Sequence, residues 1–271
     1  ALLGVGNGVL KRVDADGNRT AHHLRVNAKG DPLGIALDLD GRFDGSQWQG
    51  NLARLDFDAK ARRLPDLSLE QPAALAWDGS RLSLGETCLT GTLPVPTGNN
   101  GNTPDSPESH TVDDAAPAEP TTAPTRLCVN GQTAAGGDLE LGLQIAHLPL
   151  RLITRLAAAD SPLRFRGELD GSAQLKRSAS GPLQGNARFT SASGQVRYPE
   201  GGNTPALSYS DLLLEGSLDG ASGNVKLETR FDHEGRIQGA LNVTPGPAGE
   251  QVLDGNLDLV LNDLAFLDLL S

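Results

Sequence analysis

Methionine is absent from all 271 residues, and cysteine occurs only twice. Aromatic residues make up 4 % of the chain. A compact sandwich of this length uses more aromatic anchors, which bury the most area per residue, so the scarcity argues for an extended shape. Basic residues are outnumbered 23 to 34, and the resulting charge of −11 excludes nonspecific nucleic-acid binding through phosphate neutralisation. No run of about 18 apolar residues exists to span a membrane as a helix. No signal peptide opens the chain. It starts in mid-pattern at Ala1-Leu2-Leu3 and stops inside an apolar element at Leu269-Leu270-Ser271, as an excised piece of a longer protein does.

Chemistry-bearing patterns are equally scarce. Gly4-x-Gly6-x-Gly8 is glycine-rich but has no following helix to make a phosphate loop. Asp14-x-Asp16-Gly17-Asn18, and Asp38-x-Asp40-Gly41 with Asp44, lack the ligand spacing of a calcium loop and read as hairpin turns. His22 and His23 point to opposite faces of any strand. His110, His147 and His233 have no ligand cluster at metal-site spacing. No catalytic residue, metal or cofactor is therefore expected. Trp48 and Trp77 read as core anchors rather than ligand-stacking residues.

What the sequence does have is alternation, which marks strands with one apolar face. The organising stretch is Leu139, Leu141, Leu143 and Ile145, interleaved with Glu140, Gly142, Gln144 and Ala146. The period then changes. Leu148, Leu152, Ile153 and Leu156, with Pro149 in the first turn, suit a short amphipathic helix over 148–160. Leu257, Leu259, Leu261, Leu264 and Phe266 repeat Leu141, Leu143, Ile145, Leu148 and Leu150 at a spacing of 116 residues, so 262–271 reads as the start of a second helix.

Residues 1–147 read as a first β-groove segment, with turns at Asp16-Gly17 and Lys29-Gly30. Leu33, Ile35, Leu37 and Leu39 share one face. Leu52 and Leu55 switch parity, which predicts a bulge near Ala53-Arg54. Leu67 with Leu69, Leu75 with Trp77, and Leu82 with Leu84 predict three brief strands. The proline-rich, acidic stretch 96–125 predicts a disordered insertion.

Residues 161–261 read as a second segment. Leu163, Phe165, Leu169 and Leu175 alternate with charged residues, as do Leu183 and Phe189. Leu212, Leu214 and Leu218; Val225, Leu227 and Phe231; Ile237, Leu241 and Val243; and Leu257, Leu259 and Leu261 repeat the pattern. The fold class is all-β, an elongated antiparallel sheet curled into a groove, with two short amphipathic helices. The apolar positions, with Leu139 to Ile145, line that groove. Glycines on the apolar face, among them Gly185, Gly216 and Gly239, relieve crowding where the sheet bends. About 16–18 strands at ~4.8 Å give a trough roughly 80 Å long.

Cys88 and Cys128 lie 40 residues apart. In an oxidising compartment they join, which stabilises by roughly 3–4 kcal/mol on the chain-entropy model. The alternative is two buried thiols.

One order of signals resembles a known family. It runs Trp48-x-Gly50-x-Leu52, Leu75-x-Trp77, Cys88-Leu89 with Leu127-Cys128, Leu148-Pro149-Leu150, glycine-punctuated strands, and Asn262-Asp263-Leu264. It is similar to the middle-to-late part of the TamB family, relatives of the AsmA-like proteins of Gram-negative bacteria. The insertion at 96–125 departs from that pattern. The resemblance implies a taco-shaped groove in a periplasmic bridge held to the inner membrane by an N-terminal helix outside this stretch. It implies TamA of the outer membrane as a partner, reached through other parts of the protein. Movement of phospholipid between the membranes and outer-membrane protein assembly are the activities it implies. Acyl chains suit an aliphatic trough without convergent polar groups. The competing readings are a strand-pairing scaffold for outer-membrane protein clients, and a carbohydrate-active solenoid enzyme or adhesin, which requires clustered carboxylates.

Overall fold

A computed structural model describes residues 9–18, 20–29, 34–58, 66–91, 123–151, 163–197, 206–232, 235–247 and 250–260. These form one curled antiparallel sheet of 15 strands. In chain order they are β1 (Val9–Gly17), β2 (Ala21–Lys29), β3 (Gly34–Phe43), β4 (Trp48–Asp58), β5 (Leu67–Leu69), β6 (Ala73–Trp77), β7 (Arg81–Gly91) and β8 (Thr125–Ala134). The rest are β9 (Leu139–Pro149), β10 (Arg164–Arg177), β11 (Gln184–Arg197), β12 (Ala206–Asp219), β13 (Ser222–Phe231), β14 (Gly235–Pro245) and β15 (Gln251–Val260). Each strand lies beside its sequence neighbours, with one interruption: β5 and β6 both fill the place between β4 and β7. Such up-and-down order follows from short turns. Asn18, Asp44 and Asp78 each accept backbone hydrogen bonds from residues two and three further on, closing three hairpins with the same side-chain geometry. Backbone donors to Asp44 and Asp78 hold both carboxyls below their ordinary pKa. The calcium-like spacing around Asp44 is a turn.

Register is locked on the polar face. Asp14, Arg25, Asp38 and Arg54 stand opposite one another across β1 to β4, and Arg25 Nε donates to Asp38 Oδ1 at 2.8 Å. Lys176 meets Glu140 at 2.8 Å, and Arg188 meets Glu215, each across a direct strand pair. Opposite charges in register favour this alignment, and a one-residue slip puts every leucine on the wrong face.

The bulge expected in β4 is there: Asp38 pairs Arg54 and Leu39 pairs Leu52, leaving Ala53 as the extra residue. Three more lie close together in the second half. β9 has an extra residue between Ile145 and Leu148, β11 between Thr190 and Gly194, and β12 between Ser210 and Leu213. His147 and Asp211 take positive φ values of 52° and 53° at two of them. Bulges bend a strand and raise its twist, so a line of them across neighbouring strands is a crease.

Several expectations are corrected. The helix expected from residue 148 does not begin there: Leu148 and Pro149 still belong to β9, opposite Leu169 and Glu168. The bulge resets the parity after Ile145, so the change of period marks a crease in a strand. Leu150 and Arg151 are helical; residues 152–160 and 262–271 lie outside the described residues. β9 and β10 pair directly, so the sheet runs unbroken past this point. Thr125, placed in the insertion, opens β8, where its hydroxyl donates to the His147 carbonyl; 96–122 lies outside the described residues. Trp77 is 41 % exposed and stacks on Phe43, so it is an edge aromatic rather than a core anchor. Trp48 lies over Gly41 and Gly50, where any side chain would collide with its ring.

Candidate functional site: an apolar trough

Directly paired residues in an antiparallel sheet point to the same side, so the register traces the trough face from strand to strand. One row runs Leu141, Leu175, Gly185, Leu218, Gly223, Val243, Leu253 across β9 to β15. The next holds Leu143, Ala173, Ala187, Gly216, Val225, Leu241 and Gly255. The third holds Ile145, Gly171, Phe189, Leu214, Leu227, Gly239 and Leu257. Beyond the crease, Leu169 stands opposite Leu148, Leu212 opposite Ser191, and Ile237 between Thr229 and Leu259. Phe165 faces Val196, and Phe231 lies between Tyr209 and Gly235. Toward the other end, Ile35, Leu37 and Leu39 align with Phe57, Leu55 and Leu52. Leu52 reaches the same face through Ala73, and the row Leu75, Leu84, Gly131, Leu141 joins the two halves.

The structure thus brings the expected residues onto one continuous face. Leu139 sits at its margin, opposite Thr133 and Arg177. Leu163 and Leu183 fall just before β10 and β11. Leu33 and Leu261 lie outside the described residues.

This face is unlike an ordinary core. Leu141 is 44 % exposed, Leu241 42 % and Leu257 67 %. Glycines let it interlock: a Cβ at Gly185 would sit 2.6 Å from Leu175 Cδ2, and one at Gly131 2.5 Å from Leu141 Cδ2. Gly216 is different. A Cβ there meets nothing closer than 3.9 Å. With Ala173 and Ala187 it forms a shallow furrow along the trough, between the rows of larger side chains.

Polar groups on this face are few and satisfied internally. Thr87 donates to the Gly85 carbonyl, Thr125 to that of His147, and Thr229 to that of Ser210. Ser191 Oγ and Tyr209 Oη lie 3.0 Å apart, and Tyr209 also donates to the Arg166 carbonyl. All four β-hydroxyls are buried. Each donates to a carbonyl at or beside a register shift, Ser191 to that of Ser193. Burial raises the Tyr209 pKa, partly offset by Ser191.

These hydroxyl residues, with Leu148 and Leu150, were missed as members of the face. The sequence did contain a signal: the apolar parity flips between Tyr209 and Leu212, between Phe189 and Val196, and between Ile145 and Leu148.

The opposite face carries the charges. Polar hollows there are lined by residues such as Asp16, His23, Asp40 and Arg42, and by Asp170, Arg188, Asp211 and Arg230. His23 Nδ1 lies 2.5 Å from Asp40 Oδ1, a hydrogen bond that raises the His23 pKa above 6.5. Cys88 and Cys128 form a disulfide between directly opposed residues of β7 and β8, with Cα atoms 4.0 Å apart. Arg126 covers Cys88 at 3.1 Å and is held by both carboxylate oxygens of Glu70. Glu86, Cys88 and Cys128 cluster at metal-ligand distances, but bonded sulfurs offer no thiolate.

No solved structure matches the chain. A family model described as "TamB, N-terminal domain" matches residues 10–271, nearly the whole sequence. The matched model is the family's N-terminal domain, where the order of signals pointed to a later part. This chain belongs to the TamB family.

Proposed function

We propose that the trough holds the acyl chains of phospholipids and lets them pass along it between the inner and outer membranes, as one segment of a periplasmic bridge. The observation that carries this is the continuous apolar face left half open to solvent over β9 to β15. An aliphatic chain needs apolar area and no fixed hydrogen bonds. At ~0.8 kcal/mol for each buried methylene, it gains affinity without being tied to one position. Polar head groups stay at the open seam. The TamB family is non-enzymatic, and its members span the periplasm from the inner membrane. TamA is the proposed outer-membrane partner, reached through other parts of the protein.

The test uses two neighbours in β13. Leu227 faces the trough between Leu214 and Gly239, whereas Glu228 faces outward between Leu213 and Gln238. Leu227→Asp abolishes the phospholipid retained in native mass spectra, and Glu228→Ala leaves it intact. Equal effects would overturn the assignment.

A second reading, strand-pairing assembly of outer-membrane clients, is favoured by β15. Its ten residues are all exposed, and among the described residues nothing pairs with its outer edge. An open edge of this kind is a template for another strand. Proline at 256 or 258 would impair that activity and leave lipid retention in place.

A further inference from the structure

Both tryptophans of the chain and one of its six phenylalanines meet at one margin of the trough face. Phe43 pairs with Trp48, and Trp48 with Trp77, in the row that follows Gly41, Gly50 and Leu75 on the same side of the sheet. The Trp48 ring leans back over Gly41 and Gly50, which have no side chain to obstruct it. That clears β4 between its neighbours. The rings of Phe43 and Trp77 meet across it, with centroids 6.4 Å apart and planes 19° from parallel. This stack takes one face of the indole and still leaves Trp77 41 % exposed, beside a similarly open Leu82. The other turns along this margin, at 18–20, 135–138, 178–183, 220–221 and 246–250, contain no aromatic residue.

The two stacked residues lead into the same turn. Phe43-Asp44-Gly45-Ser46 and Trp77-Asp78-Gly79-Ser80 share the order aromatic, Asp, Gly, Ser. In each, Oδ1 of the aspartate accepts two backbone N–H groups and the serine hydroxyl. The turns lie side by side: a Cβ at Gly79 would come within 3.5 Å of the Ser46 carbonyl oxygen. Both aspartates project past the apolar face, are exposed, and form no ion pair among the described residues. Arg81 adds a favourable field at Asp78 without pairing with it. The turn donors keep both carboxyls ionised at neutral pH.

An exposed indole face attracts a cation through its ring quadrupole, and desolvation strengthens the attraction. Two fixed negative charges beside it repel a phosphate and favour an ammonium. Resting on the lipid reading, we propose that this corner binds the primary ammonium of an aminophospholipid head group against Trp77, while the acyl chains lie on the row of Leu75 and Leu84 just inside it. The trough then selects among lipids at this margin, although its apolar face accepts any acyl chain.

The full chain, incubated with vesicles of equal phosphatidylethanolamine and phosphatidylglycerol, tests this by the ratio of the two lipids it retains in native mass spectra. The wild type enriches phosphatidylethanolamine several-fold over the vesicle. Trp77→Leu brings the ratio to that of the vesicle with the total unchanged, and Trp77→Phe keeps most of the preference. Neither variant alters charge, so the ring is separated from general repulsion of anionic lipid by a chain of charge −11. Asp44→Asn with Asp78→Asn lowers the ratio as well. An amide oxygen preserves the turns, as Asn18 does in the first hairpin, so this pair decides the matter should Trp77→Leu loosen the sheet. A wild-type ratio equal to the vesicle's, or a preference that survives in all variants, would overturn the site. Ethanolamine that shifts the tryptophan emission while the lipid ratio stays at the vesicle's assigns the corner to free amines and overturns the head-group reading. No lipid of either kind on the wild type overturns the lipid reading itself, and this site falls with it.

Discussion

The two walls of the trough between β9 and β13 are built from the same strands with the same alternation, yet they end in different states. Below the crease Leu141 and Val225 are close to half exposed, while above it Leu169 and Tyr209 are at 8 % and 5 %. Alternation chooses which side a residue faces. It does not choose how much of that side is covered. Coverage comes from the bend of the sheet and from Leu150, which arrives from outside it. A protein whose interior must take up a guest needs the first wall; one that must hold its shape needs the second.

The sharpest way to break this comparison is to place a charge on each wall. Leu169→Asp buries an unpaired carboxylate, and several kcal/mol of stability should be lost, on the order of 3 or more, in urea unfolding. Leu241→Asp leaves its charge near water, so stability should fall by about 1 kcal/mol or less while lipid retention is lost. Similar losses of stability at both positions would erase the distinction.

The disulfide tests whether the first half depends on covalent bracing that the second half does without. Cys88→Ser with Cys128→Ser removes the closure of a loop spanning 40 residues, worth about 4 kcal/mol on the chain-entropy model. Hydrogen exchange should show β7 and β8 loosened first, with β11 to β14 retaining protection.

Glycines sharpen the comparison within the open wall. Gly185→Val drives a side chain into Leu175 and the Gln174 carbonyl and should destabilise by about 1–3 kcal/mol. Gly216→Val places its Cβ 3.9 Å from the nearest atoms, so unfolding should change far less than at Gly185 while lipid binding weakens. Loss of both properties at Gly216 would show that the furrow is part of the packed core.

The smallest effects belong to the outer face. His23 has a raised pKa, chiefly through its hydrogen bond to Asp40. The contribution of that pair to stability is complete below the ordinary histidine value of 6.5 and is lost as pH rises through the raised one. Asp40→Asn should bring the His23 NMR titration midpoint down toward 6.5. For Asp44 and Asp78 the sign is opposite. Their turns hold above the ordinary carboxylate value of 3.8 and loosen as pH falls through their lowered ones. Neither change should alter lipid retention, since both groups of residues lie away from the trough.

Much of this architecture was legible in the chain. Leu33 to Leu39 and the strands from Phe165 onward announced a one-sided sheet because a period of two leaves no other face for their leucines. The flip from Leu52 to Leu55 located the bulge at Ala53, since only an extra residue keeps both on one side. The same flip at Ile145 and Leu148 was misread as the onset of a helix. Local spacing cannot distinguish a bulged strand from a helical turn when the partner strand is unknown. Phe57 and Leu55 found their places on the trough face by the same logic.

By itself the sequence determined the strands, their one-sided chemistry and the turn at Asp44, because these depend on neighbours within a few residues. Tertiary structure decided the rest. It placed Cys88 opposite Cys128, aligned three bulges into a crease, set the Thr125 and Thr229 hydroxyls on carbonyls beside it, and seated Leu150 on Tyr209. Each of these joins residues from different strands. Their distance is set by register and curvature, which are properties of the whole sheet and of no single stretch of chain.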